Sequence, residues 1–343
     1  MTLKNERNKS LRVEKSSRGT RLRSAAVSSV ITLALAVSAL PVLNYENNGD
    51  STVHTDSVNY GLQENARSVE NYGVSYHSGK IHYNLPGIPS LKLSSHKSLA
   101  VKLSGKTAPF SAYRINGIVY LSIKDALGSV NPSAKLSHNA STKTTSVSAA
   151  GLVISVTHGG YVMYANDRPL FSFSPALLMN DGNMYVPASA LLKALGLSSS
   201  ASETGLSISG SFKPLAHASK FYREDEVYWL SKIISAESAG ESLLGQIAVG
   251  DVIMNRVKSS LFPNTIYSVI FDRKYGVQFS PTLDGRIYFD PTYTATLAAK
   301  ICLEGVSLSD DAMYFLNPKA AQSNWIVKNR EYAYTIGNHD FYE

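Results

Sequence analysis

Between Val227 and Val257 the apolar positions recur at helical spacing. Val227, Leu230, Ile233 and Ile234 define one stripe. Glu237 lies three and four residues beyond Ile234 and Ile233 and continues the stripe, so its carboxylate points toward the core. Gly240 reads as the stop of this first helix, because glycine enters the left-handed C-terminal conformation without steric cost. Glu241 and Ser242 suit the start of a second helix through Val257, with Ser242 as cap and Glu241 facing the positive dipole end. The pattern predicts two helices meeting at a glycine corner.

An apolar surrounding disfavours a charged carboxylate and raises its pKa, and the negative end of the first helix acts in the same direction. A glutamic acid protonated near neutral pH is what glycosidic bond cleavage requires of its proton donor. The competing reading is a structural carboxylate paired with Lys232, Arg256 or a backbone N–H at the corner. Helix geometry leaves both open.

From about Val227 to the C-terminus the chain resembles the catalytic domain of the spore-cortex-lytic cell-wall hydrolases, the SleB and CwlJ type. The resemblance is carried by Ser235-Ala-Glu-Ser-Ala-Gly-Glu241, Gly245-Gln-Ile-Ala-Val-Gly250, Asn255-Arg-Val-Lys258 and Phe262-Pro-Asn-Thr-Ile266. It continues through Gln278-Phe-Ser280, Asp284-Gly-Arg-Ile287, Tyr314-Phe-Leu-Asn-Pro318 and Ile336-Gly-Asn-His-Asp-Phe341. It implies a small, mostly helical, lysozyme-like fold that cleaves the glycan strands of peptidoglycan, with Glu237 at the position of the family's catalytic glutamate. The family's basic residue two positions later is Ala239 here, a departure that bears on glycan affinity and leaves the proton donor in place.

Further along, Phe262 to Phe271 combines a Pro-Asn turn with a third helical pattern (Ile266, Val269, Ile270). Asp290 reads as a cap and Pro291 as the first residue of a helix running to Glu304 and ending at Gly305. The tail from Ala312 reads as loops rich in aromatic and amide side chains. Aromatic faces cover the C–H faces of sugar rings while amides bond their hydroxyls, so Gln278, Phe279, Ser280, Tyr314, Asn317 and Trp325 are the substrate-binding candidates. His339 fits a hydrogen-bonded structural histidine better than a group polarising substrate. Asp251 is an available second carboxylate, and Asp272 and Asp284 lie in loops as capping or metal-facing oxygens.

No aspartate has the setting of a dedicated nucleophile, and two-carboxylate hydrolysis needs one. A single glutamic acid suits lytic transglycosylation between N-acetylmuramic acid and N-acetylglucosamine, with a 1,6-anhydro product; hydrolysis by a muramidase is the alternative. A non-catalytic wall-binding or scaffold protein is the rival from another class. Nothing in the sequence calls for a metal or cofactor, and an amidase or peptidase lacks its zinc-ligand pairs or Cys–His set.

Residues 87–211 change to short alternating runs separated by Asn-Gly, Gly-Gly and Asp-Gly turns, which predicts strands. Ile115 to Gly128 echoes Asn180 to Leu192, aligning Tyr120 with Tyr185 and giving each half a strand followed by a short helix (123–127 and 188–195). This region resembles the stalk-like domain at the N-terminus of copper amine oxidases, chiefly through Tyr185-Val-Pro-Ala188, Leu191, Leu192 and Leu195. His138 and His158 make no copper ligand set, so a spacer, ahead of a wall-binding module, is the reading. Residues 212–222 form a linker to the catalytic domain at 223–343. The expected fold class is thus multidomain, a β-rich α+β repeat domain followed by a mainly α lysozyme-like one.

Charge alters the picture only at the N-terminus. The first two dozen residues hold eight Lys or Arg against two Glu, and so carry +6 of the net +7. The basic balance belongs to this leader and does not point to nucleic acid. With the apolar run Ala25 to Leu43 it reads as a signal peptide over 1–43, or as a membrane anchor if uncleaved. The rest of the chain would then be exported to the cell wall or spore envelope, with peptidoglycan as its partner. Residues 44–86 read as a flexible linker, and His77 and His82 within it as solvent-exposed. The lone Cys302, in an apolar helical pattern, excludes an internal disulfide and reads as a buried small hydrophobe.

Overall fold

The computed structural model describes residues 73–77, 80–84, 92–321 and 323–343; the expected leader lies outside them, as does most of the expected linker 44–86. Within that linker the backbone of β1 (Gly73–His77) and β2 (Lys80–Asn84) pairs as an antiparallel hairpin.

The β-rich domain follows. Strands β3 (Lys97–Leu103), β4 (Lys106–Ile115) and β5 (Ile118–Ser122) lead into helix α1 (Ile123–Val130). Asn116 and Gly117 both take positive φ, 49° and 80°, and close the β4–β5 hairpin in the twist its strands need. Ser122 caps α1 by accepting the Asp125 N–H at 3.2 Å. Next come β6 (Lys135–Asn139), β7 (Thr144–Ala149), β8 (Leu152–Thr157), β9 (Val162–Ala165) and β10 (Arg168–Phe171), an antiparallel meander in the order β10-β9-β8-β7-β6. The alternation of β8 buries Leu152, Ile154 and Val156. Then β11 (Leu177–Leu178) and β12 (Met184–Pro187) precede helix α2 (Ala188–Leu195), with β13 (Ser198–Ala201) and β14 (Gly205–Ser209) after it. These join the first three strands in a seven-stranded sheet ordered β11-β12-β5-β4-β3-β14-β13. The two segments that echo each other in sequence meet there, with Tyr120 opposite Pro187, Leu121 opposite Val186 and Ser122 opposite Tyr185.

The helical domain starts after a short helix α3 (Ala218–Phe221). Its centre is α4 (Glu224–Ser238), α5 (Leu243–Lys258), α6 (Ile266–Ile270), α7 (Pro281–Asp284) and α8 (Tyr293–Leu303). Leu230, Ile233 and Ile234 of α4 are fully buried against α5 and α8, as their spacing predicts. The close approach needs Gly250: a Cβ there would fall 2.7 Å from the Cys302 sulfur and 2.8 Å from Ile234 Cδ1. Ser242 caps α5, its hydroxyl accepting the Gly245 N–H.

Three local expectations are corrected. Gly240 does not take the left-handed conformation; α4 closes instead through a Ser238 hydroxyl bonded to the Ile234 carbonyl and a Glu241 N–H bonded to Ser238. Helix α8 begins not at Asp290 and Pro291 but after Thr292, whose hydroxyl accepts the Ala295 N–H. The tail holds a three-stranded antiparallel sheet, β15 (Tyr314–Leu316), β16 (Tyr332–Ile336) and β17 (His339–Tyr342), beside a short helix α9 (Trp325–Asn329). Strands of three to five residues are too short for alternation to reveal them.

The two domains are joined by buried chemistry. Glu304, at the end of α8, accepts two hydrogen bonds from Arg168 of β10 at 2.7 and 2.8 Å, one from the Tyr222 hydroxyl at 2.6 Å, and an ion pair from Lys193 of α2 at 3.0 Å. The Arg168 guanidinium also lies 3.3 Å over the Phe221 ring. Residues 212–222, expected as a linker, therefore bind both sides. Burial alone would raise the Glu304 pKa, but the bonds from Arg168, Tyr222 and Lys193 outweigh it and hold the carboxyl below its usual range. Val162, Tyr164, Phe171 and Phe173 of the meander pack against the helical-domain core. Glu304→Ala should cost about 3–5 kcal/mol at neutral pH, because it leaves Arg168 buried without its partner. A depressed carboxyl pKa contributes stability that is lost as pH falls through it, so the gap between wild type and variant should narrow in chemical denaturation as pH falls below the ordinary glutamate range.

Candidate active site

Glu237 sits in the last turn of α4, half-buried at the edge of the apolar stripe. Among the described residues no group donates a hydrogen bond or ion pair to its carboxyl. Desolvation pushes that carboxyl to about 7; the Arg286 guanidinium pulls against the shift and the Asp284 carboxylate adds to it. The structural partners that sequence allows for it are occupied elsewhere. Lys232 is buried and donates to the carbonyls of Tyr288 and Phe289 at 3.0 and 2.9 Å. Arg256 is buried among Phe262, Phe279 and Tyr314, bonds the Met313 carbonyl at 2.7 Å and meets Gln278 at 3.3 Å. Desolvation lowers the Arg256 pKa to about 10.

The loop after α7 forms the wall beside Glu237. Gly285, at φ 84°, turns the chain so that the Arg286 N–H meets Asp284 Oδ1 at 3.0 Å and its Nε meets Oδ2 at 2.9 Å. The same guanidinium donates to the Ala236 carbonyl at 3.2 Å, fixing itself one residue before Glu237. Thr292 N–H donates to the Ser235 hydroxyl at 3.1 Å and brings the start of α8 to the same helix end. The role of Arg286 is missed by sequence reasoning, although the Asp-Gly-Arg turn that places it is visible in the chain.

The remaining carboxylates near the helices are structural. Asp251 is buried, and its Oδ2 accepts the Ser307 hydroxyl and the N–H groups of Leu308 and Ser309. Burial raises its pKa and those bonds oppose the rise. Glu241, four residues after Glu237, accepts both the backbone and side-chain N–H of Asn338 at 3.2 and 3.0 Å. His339 is buried beside it, its ring edge-on to Phe315; burial holds the imidazole below its usual range while Glu241 pulls the other way. Asp272 accepts the Lys274 N–H.

The binding candidates divide. Phe279 is 3% exposed and packs under Arg256 in the core, so its face is closed to a sugar ring. Ser280 is exposed at the start of α7, with its hydroxyl 3.5 Å from Arg286, and so belongs to the Glu237 wall. Gln278 bridges Arg256 and the Gly276 carbonyl. Tyr314 lies between Arg256 and Arg330, and Arg330 also covers the exposed Trp325. Asn317 bonds the Lys319 N–H within a turn. Of the six, Ser280 alone bonds the Asp284–Arg286 group among the described residues.

One desolvated carboxylic acid at the surface end of a buried helix, flanked by a bonded guanidinium, is an arrangement able to donate a proton near neutral pH. Residues 240–342 match the family model described as Cell Wall Hydrolase, and residues 102–209 match that of the copper amine oxidase N-terminal domain. The C-terminal domain belongs to the cell wall hydrolase family. The matched segment opens three residues after Glu237. The spore cortex-lytic enzyme of Bacillus cereus is 38% identical over 120 residues, covering 35% of this chain and 45% of that protein. Its counterpart in Bacillus subtilis is 36% identical over 122 residues, covering 36% and 39%. The chain thus spans less than half the length of these relatives. A solved catalytic domain of the germination-specific lytic transglycosylase SleB from Bacillus anthracis is 38% identical, covering 36% of this chain and 97% of that one with a TM-score of 0.33.

A carboxyl raised from 4.5 to about 7 favours folding when protonated, and that contribution is lost between those two values as pH rises. Glu237→Gln should therefore match wild type in stability near pH 4 and exceed it by up to about 3 kcal/mol near pH 8. Urea denaturation at the two pH values checks this.

Proposed function

We propose that the protein cleaves the glycan strands of peptidoglycan as a lytic transglycosylase, with Glu237 as its one acid and base. The observation that carries this reading is the Glu237 carboxyl, held near 7 by desolvation and committed to no partner among the described residues. At neutral pH such a group is present in both protonation states, as a donor that later becomes an acceptor must be. Protonated Glu237 gives its proton to the oxygen between N-acetylmuramic acid and N-acetylglucosamine, and that bond breaks. The resulting carboxylate takes the proton of the muramoyl 6-hydroxyl, whose oxygen closes on the anomeric carbon. A 1,6-anhydro end forms without water, and Glu237 is protonated again. The helical domain would be of the lysozyme-like class, and the repeat domain would position it on exported wall or cortex.

Hydrolysis is the second reading, because Asp284 is a carboxylate close enough to raise the Glu237 pKa. Both Asp284 oxygens are engaged by Arg286, however, and its pKa is held low by the Arg286 N–H first of all. That commitment favours an electrostatic part over activation of water.

Mass spectrometry of soluble products from purified peptidoglycan decides the reaction. Wild type should release anhydromuropeptides, and Glu237→Gln should lose about 10²–10⁴-fold in rate. Reducing muramic ends in place of anhydro ends would reject transglycosylation. On the same assay Asp284→Asn should keep the anhydro product while shifting the alkaline limb of the pH–rate profile downward, since its charge no longer raises the Glu237 pKa. Wall binding without release by wild type would favour the scaffold reading.

A further inference from the structure

Between the Arg286–Tyr288 turn and the start of α8 the chain turns large aromatic rings outward. Tyr288 is 61% exposed, Phe289 71% and Tyr293 53%. Their backbone, by contrast, is pinned. Buried Lys232 holds the carbonyls of Tyr288 and Phe289, Arg286 is bonded to the Ala236 carbonyl, and Thr292 is bonded to Ser235. A buried lysine spent on two loop carbonyls fixes the rings before any ligand arrives, which lowers the ordering cost of binding. The row continues into the other domain: the Tyr293 hydroxyl lies 3.5 Å from that of Tyr164 on β9.

We infer that Phe289, Tyr293 and Tyr164, with Tyr288 at the near end, form a track that holds the glycan strand beyond the reacting saccharides, so that the β-rich domain contributes to substrate binding. The inference rests on the glycan-cleaving reading of Glu237 and adds a site to it. Three observations select a saccharide strand as the occupant. The row starts at the helix end that carries Glu237, and a polymeric substrate must leave that point in some direction. Its rings are accompanied by the polar groups of Asp290, Thr292 and the tyrosine hydroxyls, a mixture that suits the apolar C–H faces and hydroxyl edges of a sugar chain. It also crosses a domain junction closed by Glu304, so both halves keep their relative place.

The test is co-sedimentation of the full chain with insoluble peptidoglycan in the Glu237→Gln background, with product release scored separately. Phe289→Ala and Tyr293→Ala should each weaken binding about three- to tenfold, the range a single aromatic contact spans. Tyr164→Ala should weaken it as well, and Tyr293→Phe, which keeps the ring, should bind within about twofold of the parent. Thermal melts identify any variant that fails to fold; Phe289→Ala, altering the most exposed ring, keeps the inference falsifiable if Tyr164→Ala does not fold. Unchanged sedimentation of folded Phe289→Ala and Tyr293→Ala would overturn the track while leaving the proposed reaction standing. Release of products by Glu237→Gln would remove the proposed acid, and the same sedimentation values would still judge the track. Capture of a protein partner by wild type but not by Phe289→Ala, with wall binding unchanged, would also overturn it.

Discussion

The structure depends on one buried carboxylate. Glu304 ends α8, and Arg168, Lys193 and Tyr222 converge on it from the β-rich domain and the segment between domains. Exchanging two charges and a phenol from water into such a site is favourable only when every lone pair finds a donor, and here each oxygen has at least two. The consequence reaches the other end of the helix. From Glu304 to Thr292, the two residues that cap α8, the helix spans about 18 Å, and the Thr292 N–H bonds Ser235 half a turn from Glu237. Clamping one end of α8 to the β-rich domain therefore orients the wall of the candidate site at the other.

A spacer reading of the β-rich domain follows naturally from its sequence, because nothing in a string of short strands says what its faces touch. The structure makes the domain a neighbour. Val162, Tyr164, Phe171 and Phe173 all sit on or beside the β9–β10 hairpin, and all pack on the helical core. In the chain they look like ordinary strand hydrophobics. Their partners lie in another domain, and alternation within a strand carries no information about contacts at that distance.

Legibility tracks the range of the interaction that decides each feature. The α4–α5 pair could be read from the apolar stripe of Leu230, Ile233 and Ile234, and the Ser242 cap from its place before that second helix. These depend on residues three and four apart. The exit from α4 falls beside Gly240, as the glycine suggests, but without the left-handed turn, since the Glu241 N–H bonds Ser238 and closes the corner in another conformation. The start of α8 moved from Asp290 to Thr292: both are good caps, and only the tertiary bond to Ser235 favours one. The tail sheet escaped notice because its strands draw their partners from separate segments. Among site residues, Glu237 was legible from its stripe, whereas Phe279 was indistinguishable in sequence from an open sugar platform until Arg256 was seen to cover it. Arg286 needed a turn geometry, the positive φ of Gly285, before its reach to α4 had meaning.

Glu237, Glu241 and Glu304 show how one side chain serves three ends. Glu241 has two amide donors from Asn338 and ties the start of α5 to the C-terminal hairpin. Glu304 has cations and a hydroxyl, and its burial is repaid by them. Glu237 is desolvated like the others but receives no donor among the described residues, with Arg286 turned instead toward Asp284 and the Ala236 carbonyl. A guanidinium that paired with Glu237 directly would lower its pKa and end its use as a proton donor near neutrality. Asp284 accepts from both the backbone N–H and the Nε of Arg286 and so competes for that guanidinium, which leaves the Glu237 carboxyl uncommitted among the described residues. Under the proposed reaction, the residue that looks least chemical in this loop, an exposed aspartate bonded two residues along its own chain, would be the one that keeps Glu237 free to give up a proton.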